Sequence, residues 1–518
     1  MKTWQFITNL FQKEQQAKSN QESSAGAKPQ YVDSSLVKNE TWAKETFKDC
    51  QDVKVEKISF HEGPVVCVLM VYCEGLSDTK RVNETIIPSL SKCLDEIGSQ
   101  FLNEDVLLSQ WPISSLQKEV LLNNLEQKVF NGEMILFFDG LASAFTLNIS
   151  NPPNRKPEET NTEVSIRGPR DGFIEDLSAN VALVRKRLRT HSMSYEQYTL
   201  GKRSQTKAGL LYIKDVVRSE VVEEVKYRLS EIDMDAIYSC NELEEWLAES
   251  KWSLFPLFDY TGRPDYLVST LLRGRFAILL DGVPTAIIAP VNLTLLFKSA
   301  EDLHNPYSGV AFSRFLRALG LCIALFLPSF FIGIATYHQD QLPLTLLATI
   351  VMSRKGVPLP TPIEGIFMLL AFELFKEAGV RLPSVIGQTL AVVGGLIIGD
   401  AAIRAGLTSP TLLVVIATTA VATDTLVNQS LIGAVSILRI LILIVTSFLG
   451  IFGLLLAVIV ILISLANLRS FGVPYLAPIS PISFRDIVQA VFRAPAVYMK
   501  KRPKMLNTVD ATRRRDQK

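Results

Sequence analysis

Apolar and polar positions divide this chain into two chemically different parts. Up to about residue 317, charged residues recur at ordinary soluble density. From 318 to 468 only twelve of 151 residues are Asp, Glu, Lys or Arg. Residues 440–466 run 27 positions without one ionisable side chain, and about 20 apolar residues in a helix already cross the hydrocarbon core of a bilayer. The pattern predicts four spans, at 318–337, 384–403, 407–425 and 440–466, with Pro328 absorbed as a kink in the first. The stretch 338–383 is too apolar for a plain loop. Its segment 344–352 is too short to cross, Pro358, Pro360 and Pro362 interrupt the next residues, and 364–378 reads as a re-entrant or interfacial helix. A fifth and a sixth span stay open.

In the soluble half the pattern repeats. Gly132-Glu-Met-Ile-Leu-Phe-Phe-Asp139-Gly140, followed by Ala144, matches Gly274-Arg-Phe-Ala-Ile-Leu-Leu-Asp281-Gly282, followed by Ala286, at a constant offset of 142. Strand-like runs at 65–72 and 210–213 precede helical patterns in both copies, and Asp-Gly between apolar runs is a strong hairpin signal. Both aspartates therefore read as turn residues rather than catalytic groups. The fold class expected is an α+β soluble head of two repeated α/β subdomains, followed by an α-helical polytopic membrane domain. The boundaries are a flexible extension 1–43, subdomains 44–150 and 172–300 joined by a linker 151–171, a helical domain 301–468 and a basic tail 469–518. Around 166–180, Arg167 and Arg170 read as a connector paired with acidic residues of neighbouring helices, leading into a basic helix at 183–189.

Charge sharpens the topology. Net charge is +1, yet from Arg469 onward eleven Lys or Arg face three acidic residues. Basic residues next to spans are retained on the cytoplasmic side and attracted by an anionic leaflet, so the tail reads as a topological signal rather than a nucleic-acid site. Residues 1–30 do not form a secretory signal, which places head and tail in the cytoplasm. Six scattered cysteines without a CxxC pair suit reduced thiols. The four histidines form no ligand cluster, and nothing resembles a nucleophile elbow or phosphate loop, so no enzyme, metal or cofactor is expected.

Candidate functional residues lie in the helical half. Gly387, Ala391, Gly395 and Gly399 recur every four residues, a small face that lets another helix approach closely. Gln388, Val392 and Leu396 run beside it as a candidate pore lining. Asp400 and Arg404 come next at i, i+4, and Glu364, Glu373, Asp424 and Arg439 are further polar residues at membrane depth, where such groups are costly.

The motifs Gly356-Val-Pro-Leu-Pro, Glu377-Ala-Gly-Val-Arg-Leu-Pro383, Gly387-Gln388 with Val392-Val-Gly-Gly-Leu-Ile-Ile-Gly399, Ala405-Gly-Leu-Thr-Ser-Pro410 and Leu468-Arg-Ser-Phe-Gly-Val-Pro-Tyr-Leu-Ala-Pro478 succeed one another in order. With Arg167-Gly-Pro-Arg-Asp-Gly-Phe and Tyr260-Thr-Gly-Arg-Pro-Asp265 in the head, the chain resembles the A subunit of bacterial spore germinant receptors, the GerA family. Asp424 is a departure from that pattern. The resemblance implies a homo-oligomer in the spore inner membrane, assembled with a transporter-like B subunit and a lipoprotein C subunit among membrane lipids, without nucleic acid. It further implies a nutrient-gated cation channel. Competing readings are a non-conducting membrane scaffold and a secondary transporter with a regulatory head. Carriers usually carry repeats within the membrane part, whereas the repeat here lies in the head.

Overall fold

In a computed structural model of the chain, residues 30–60, 66–97, 107, 111, 116–150, 163, 165–381, 399–491 and 501–512 are described. They separate into two compact units, one of Met1–Lys156, Ile174–Tyr198 and Lys207–Leu211, the other of Pro157–Phe173, Thr199–Thr206 and Tyr212–Lys518.

The first unit is built on strands β1 (Val53–Phe60), β2 (Val66–Cys73), β3 (Leu116–Glu119), β4 (Glu133–Phe138) and β5 (Ala144–Asn148), in the antiparallel order β1-β2-β4-β5-β3. Side chains alternate across a strand. Leu69, Val71, Ile135 and Phe137 therefore fill one core with helices α1 (Leu36–Thr46) and α3 (Leu122–Val129). Val68, Met70, Leu136 and Phe138 fill a second core on the opposite face, with residues of α2 (Ile87–Ile97) and the turn before it. Central strands covered on both faces read as continuous apolar runs, which is why β2 and β4 are so hydrophobic.

Two expectations are corrected here. The extension does not reach residue 43, because Val32, Leu36, Asn39 and Ala43 are buried and α1 belongs to the core. Its mixed sequence hides this, since only one short face is apolar. The basic segment expected as a helix at 183–189 is helical only as far as Arg185. Helix α4 (Leu177–Arg185), capped by the Asp176 side chain on the Ala179 amide, ends at a fully buried Arg185. That guanidinium forks onto Asp52 at 2.9 and 3.1 Å and lies 4.4 Å over the Phe130 ring. The sequence assigns α4 to the second subdomain, whereas it packs in the first unit.

The repeat is visible in the second sheet. Strands β6 (Met193–Leu200), β7 (Thr206–Ile213), β8 (Asp259–Thr261), β9 (Phe276–Leu280) and β10 (Ala286–Ala289) are ordered β6-β7-β9-β10-β8, position for position the order of the first sheet. Helices α5 (Ser219–Ser230), α6 (Cys240–Leu247) and α7 (Pro264–Leu271) accompany it. Both Asp-Gly pairs sit in hairpin turns, with φ of 89° at Gly140 and 84° at Gly282. The basic segment after 468 is no loose tail. Leu293 N–H donates to the Tyr475 carbonyl, Val291 N–H to Ser470 Oγ, Arg502 Nε to the Leu272 carbonyl and Val509 N–H to the Val216 carbonyl, so residues 469–491 and 501–512 complete the second subdomain.

The helical part comprises α8 (Tyr307–Tyr337), α9 (Leu344–Ser353), α10 (Thr361–Arg381), α11 (Pro410–Asp424) and α12 (Gln429–Asn467). By length and composition α8 and α12 can cross a membrane. Glycines mark where the helices meet: Gly320 of α8 faces Ala422 and Thr425, Gly333 faces Thr446, and Gly365 of α10 faces Ile332. Helices α10 and α11 thus run antiparallel to α8. The segment 364–378, expected as a re-entrant or interfacial helix, lies within α10 and packs in this bundle.

The longest predicted span, 440–466, is corrected. Gly450 adopts φ 61°, ψ −146°, outside helical geometry. A Cβ on Gly453 would lie 2.8 Å from the Val445 carbonyl, eight residues back, where a straight helix would put about 12 Å between them. The 39-residue α12 is therefore a helical hairpin, its arms lining one cavity through Leu438, Leu441 and Val445 on one side and Leu456, Val460 and Ile461 on the other. Its two ends return to neighbouring points of the head. Asn428 bonds Asp259 and Ser470 bonds Leu257, although a straight helix of that length would span about 58 Å.

Candidate functional site

At the root of the hairpin one side chain serves two elements. Asn428 precedes the long apolar run and caps it, Oδ1 accepting from the Leu431 N–H at 2.9 Å, which satisfies a donor that a helix start otherwise leaves open. Its Nδ2 donates to Oδ1 of the buried Asp259 at 2.8 Å, and Tyr266 Oη donates to the other carboxylate oxygen at 3.1 Å. A cavity of about 280 Å³ lies beside this joint, lined among others by Glu163, Cys240, Thr285, Lys298 and Gln429. Burial pushes the Glu163 carboxyl up to about 7 and the Asp259 carboxyl up to about 6, against the hydrogen bonds from Thr261 in the first case and from Tyr266 and Asn428 in the second. Burial, and then the neighbouring Arg273, Arg275 and Arg314, press the Lys298 ammonium well below its ordinary value.

The start of α8 is fixed by a buried ionic network. Asp302 accepts from Arg314 Nε at 2.8 Å and Arg317 Nη1 at 3.1 Å. Arg263, 2 % exposed, bridges Asp265 at 2.8 Å and Glu301 at 2.6 Å. At Arg167 the connector differs from expectation. Glu301 is met by the Arg167 backbone N–H at 3.3 Å, while the Arg167 side chain is exposed and Arg263 supplies the guanidinium.

Deeper in the bundle, three of the sequence-derived polar residues come together. Arg439, on the first arm of the hairpin, pairs with Glu373 of α10 and donates to Thr423 Oγ1 of α11 at 3.0 Å. Lys376 stands 4.0 Å from Asp424, and a cavity of about 190 Å³ adjoins these groups. Three helices are thereby clamped by one guanidinium, whose planar fork suits such a role better than an ammonium. Glu364 stands apart from this cluster. Completely buried, it accepts from Ser409 N–H at 2.5 Å, Ser409 Oγ at 2.8 Å and Thr408 Oγ1 at 3.0 Å, and so caps α11, where the positive end of a helix dipole favours a carboxylate. Asp400 and Arg404 pair at 2.8 Å on the exposed surface, and Gly399 lies against Leu413. Gly387, Gln388, Ala391, Val392, Gly395 and Leu396 lie outside the described residues.

Asp259, Asn428 and Tyr266 were absent from the candidates drawn from sequence. Asn428 was within reach as a capping residue directly before an apolar run; nothing in the sequence pairs it with Asp259, 169 positions away. No group of three or more metal-type ligands occurs among the described residues. The described residues thus form a capped hairpin root bonded to the second sheet and a three-helix clamp inside the bundle.

Comparison with known proteins places the chain in a family. Residues 41–505 match the family model described as Bacillus/Clostridium GerA spore germination protein. Spore germination protein XA of Bacillus anthracis is 45 % identical over 480 residues, covering 92 % of this chain and 97 % of that protein. Spore germination protein KA of Bacillus subtilis is 32 % identical, covering 94 % and 89 %, and the uncharacterized membrane protein YfkQ of the same organism is 35 % identical, covering 88 % of each. The crystal structure of the N-terminal domain of the A subunit of the Bacillus megaterium spore germinant receptor GerK3 aligns with 51 % of the chain and 98 % of that domain, at 24 % identity and a TM-score of 0.40. The chain belongs to the GerA family of spore germination proteins.

Proposed function

We propose that this protein is the A subunit of a nutrient receptor of bacterial endospores, and that its helical bundle is a gated cation-conducting element of the spore inner membrane. Helices α8, α10 and α11 and both arms of α12 cross the bilayer, and the sequence supplies a sixth crossing at 384–403. An even number keeps head and C-terminal segment on one side, the cytoplasm by the basic-residue rule. Several copies surround a pore lined by Gln388, Val392 and Leu396, with the small face of that helix against a neighbour. A transporter-like B subunit and a lipoprotein C subunit complete the receptor.

The observation that carries the reading is the joint at Asn428. A change in the head that shifts Asp259 pulls on the cap of a hairpin whose first arm holds α10 and α11 through Arg439. A signal thus has a continuous physical route into the bundle, of the kind a two-state coupling requires. The test is ion release from spores. Asn428→Ala at normal abundance should uncouple nutrient from release, and Val392→Ala should make dormant spores leak by wetting the constriction. Unaltered release in both, with the protein present and assembled, rejects the channel in favour of a non-conducting scaffold.

A further inference from the structure

One helix of the second subdomain is inside out. In α13 (Phe484–Val491) the carboxylate of Asp486 is 3 % exposed and accepts from the Lys504 N–H at 2.9 Å, while Phe484 and Val488, one turn apart, are 80 % and 50 % exposed. A surface helix of a soluble domain presents the opposite arrangement. The outward apolar face continues through Ile482 and Ile479, held in place by backbone bonds from Ile479 N–H to the Leu476 carbonyl and from Ser483 N–H to the Pro478 carbonyl. Such a patch marks a surface that is covered in the working protein.

We infer that this face is embedded in the surface of an anionic lipid bilayer, as an interfacial anchor just beyond the hairpin. Three observations select lipid. Helix α13 packs against α8, the first of the apolar helices, on which Phe312 and Phe315 are likewise exposed. Residues 485–504 carry six Lys or Arg against one acidic residue, the composition that draws a segment to anionic headgroups. Trp252, 96 % exposed, sits in a loop that lines one cavity with both arms of the hairpin, Leu438 and Leu441 on the first and Ser464 on the second. Aromatic residues at that level mark the membrane–water boundary.

The inference rests on the reading of α12 as a membrane hairpin, and the experiment separates the two. The full chain, with Cys67 and Cys322 replaced by Ser, is labelled with bimane at Phe484→Cys, Ile482→Cys, Val460→Cys in the second arm or Tyr238→Cys on the head. Each variant is reconstituted into phosphatidylglycerol-containing vesicles carrying nitroxide lipids of shallow or deep label. Quenching at 482 and 484 is expected to exceed that at 238 by roughly threefold or more, strongest with the shallow label and weaker in neutral vesicles or high salt. Quenching at 460 with 484 as unaffected as 238 overturns the anchor and leaves the hairpin standing. Absence of quenching at 460 rejects the membrane hairpin, and the anchor with it.

Discussion

The Arg185–Asp52 pair shows how a buried charge is tolerated. Burial alone would lower the Arg185 pKa, and the adjacent Asp52 carboxylate reverses this and raises it. Removing one partner leaves the other unpaired in the core. Asp52→Ala should therefore destabilise the first unit by about 3–5 kcal/mol, read as a lowered unfolding midpoint in the soluble head. Asp259 obeys a different logic. Its folded pKa of about 6 is raised above the ordinary 3.8 because burial penalises the ionised form. Its contribution to stability is therefore complete below about 4 and is lost as pH rises through about 6. Asp259→Asn should flatten that dependence, with its largest relative gain in Tm at pH 8 and little change at pH 4. A variant as pH-sensitive as the parent would contradict the assignment. Residue identity alone reveals neither case, since burial of Arg185 and Asp259 depends on partners 133 and 169 positions distant.

At the scale of elements, the two Asp-Gly hairpins were legible because the turn chemistry is local. A Cβ at Gly140 or Gly282 would touch nothing within 4 Å, so the cost of a side chain there comes from positive φ alone. Gly282→Val should cost about 1–3 kcal/mol and Asp281→Asn less, because Asn also suits such turns. Thermal unfolding of the head checks the ranking. The hairpin in α12 was not legible, because a glycine within an apolar run is compatible with a continuous helix and only the φ of 61° at Gly450 reveals the reversal. That φ, and the Tyr337 ring carbons 3.1 to 3.2 Å from where a Cβ would sit, make Gly450→Leu incompatible with the turn. Distance measurements between labels at Leu441 and Val460 should show the arms separating in that variant. Within the bundle, Glu373→Ala should lower thermal stability in detergent by stranding Arg439, and the double change Glu373→Leu with Arg439→Leu should restore much of it. A double variant no better than the single would show that the clamp is not an isolated pair.

For the whole molecule, the repeat at an offset of 142 foretold two similar α/β subdomains, because each copy carries its own strand pattern and turn; that their sheets share one strand order is seen only in the structure. The membrane-like half was legible as a class from charge depletion alone. Its connectivity was not, since antiparallel helices with glycine contacts and a helical hairpin leave the same apolar composition as straight spans. Domain limits were the weakest reading. Helix α1 and the segment after 468 contribute to cores through a few buried residues each, such as Leu36, Ala43 and Tyr475, set among charged neighbours.

The reversal at Gly450 also bears on how the protein is made. The tip from Phe448 to Phe452 is apolar, with Phe448, Leu449 and Phe452 exposed and no polar loop between the arms. A segment that crosses and returns ordinarily has to carry its connecting loop through the hydrocarbon, at a cost set by that loop's charges and unpaired backbone groups. On the topology proposed above, the two arms would enter as one preformed wedge from the side on which the head is synthesised, with Arg439 as the one ionisable residue of α12 to be accommodated. Appending a short charged loop at Gly450 should consequently impair insertion far more than the same loop placed after Leu342, as glycosylation-site mapping in a microsomal insertion assay would reveal.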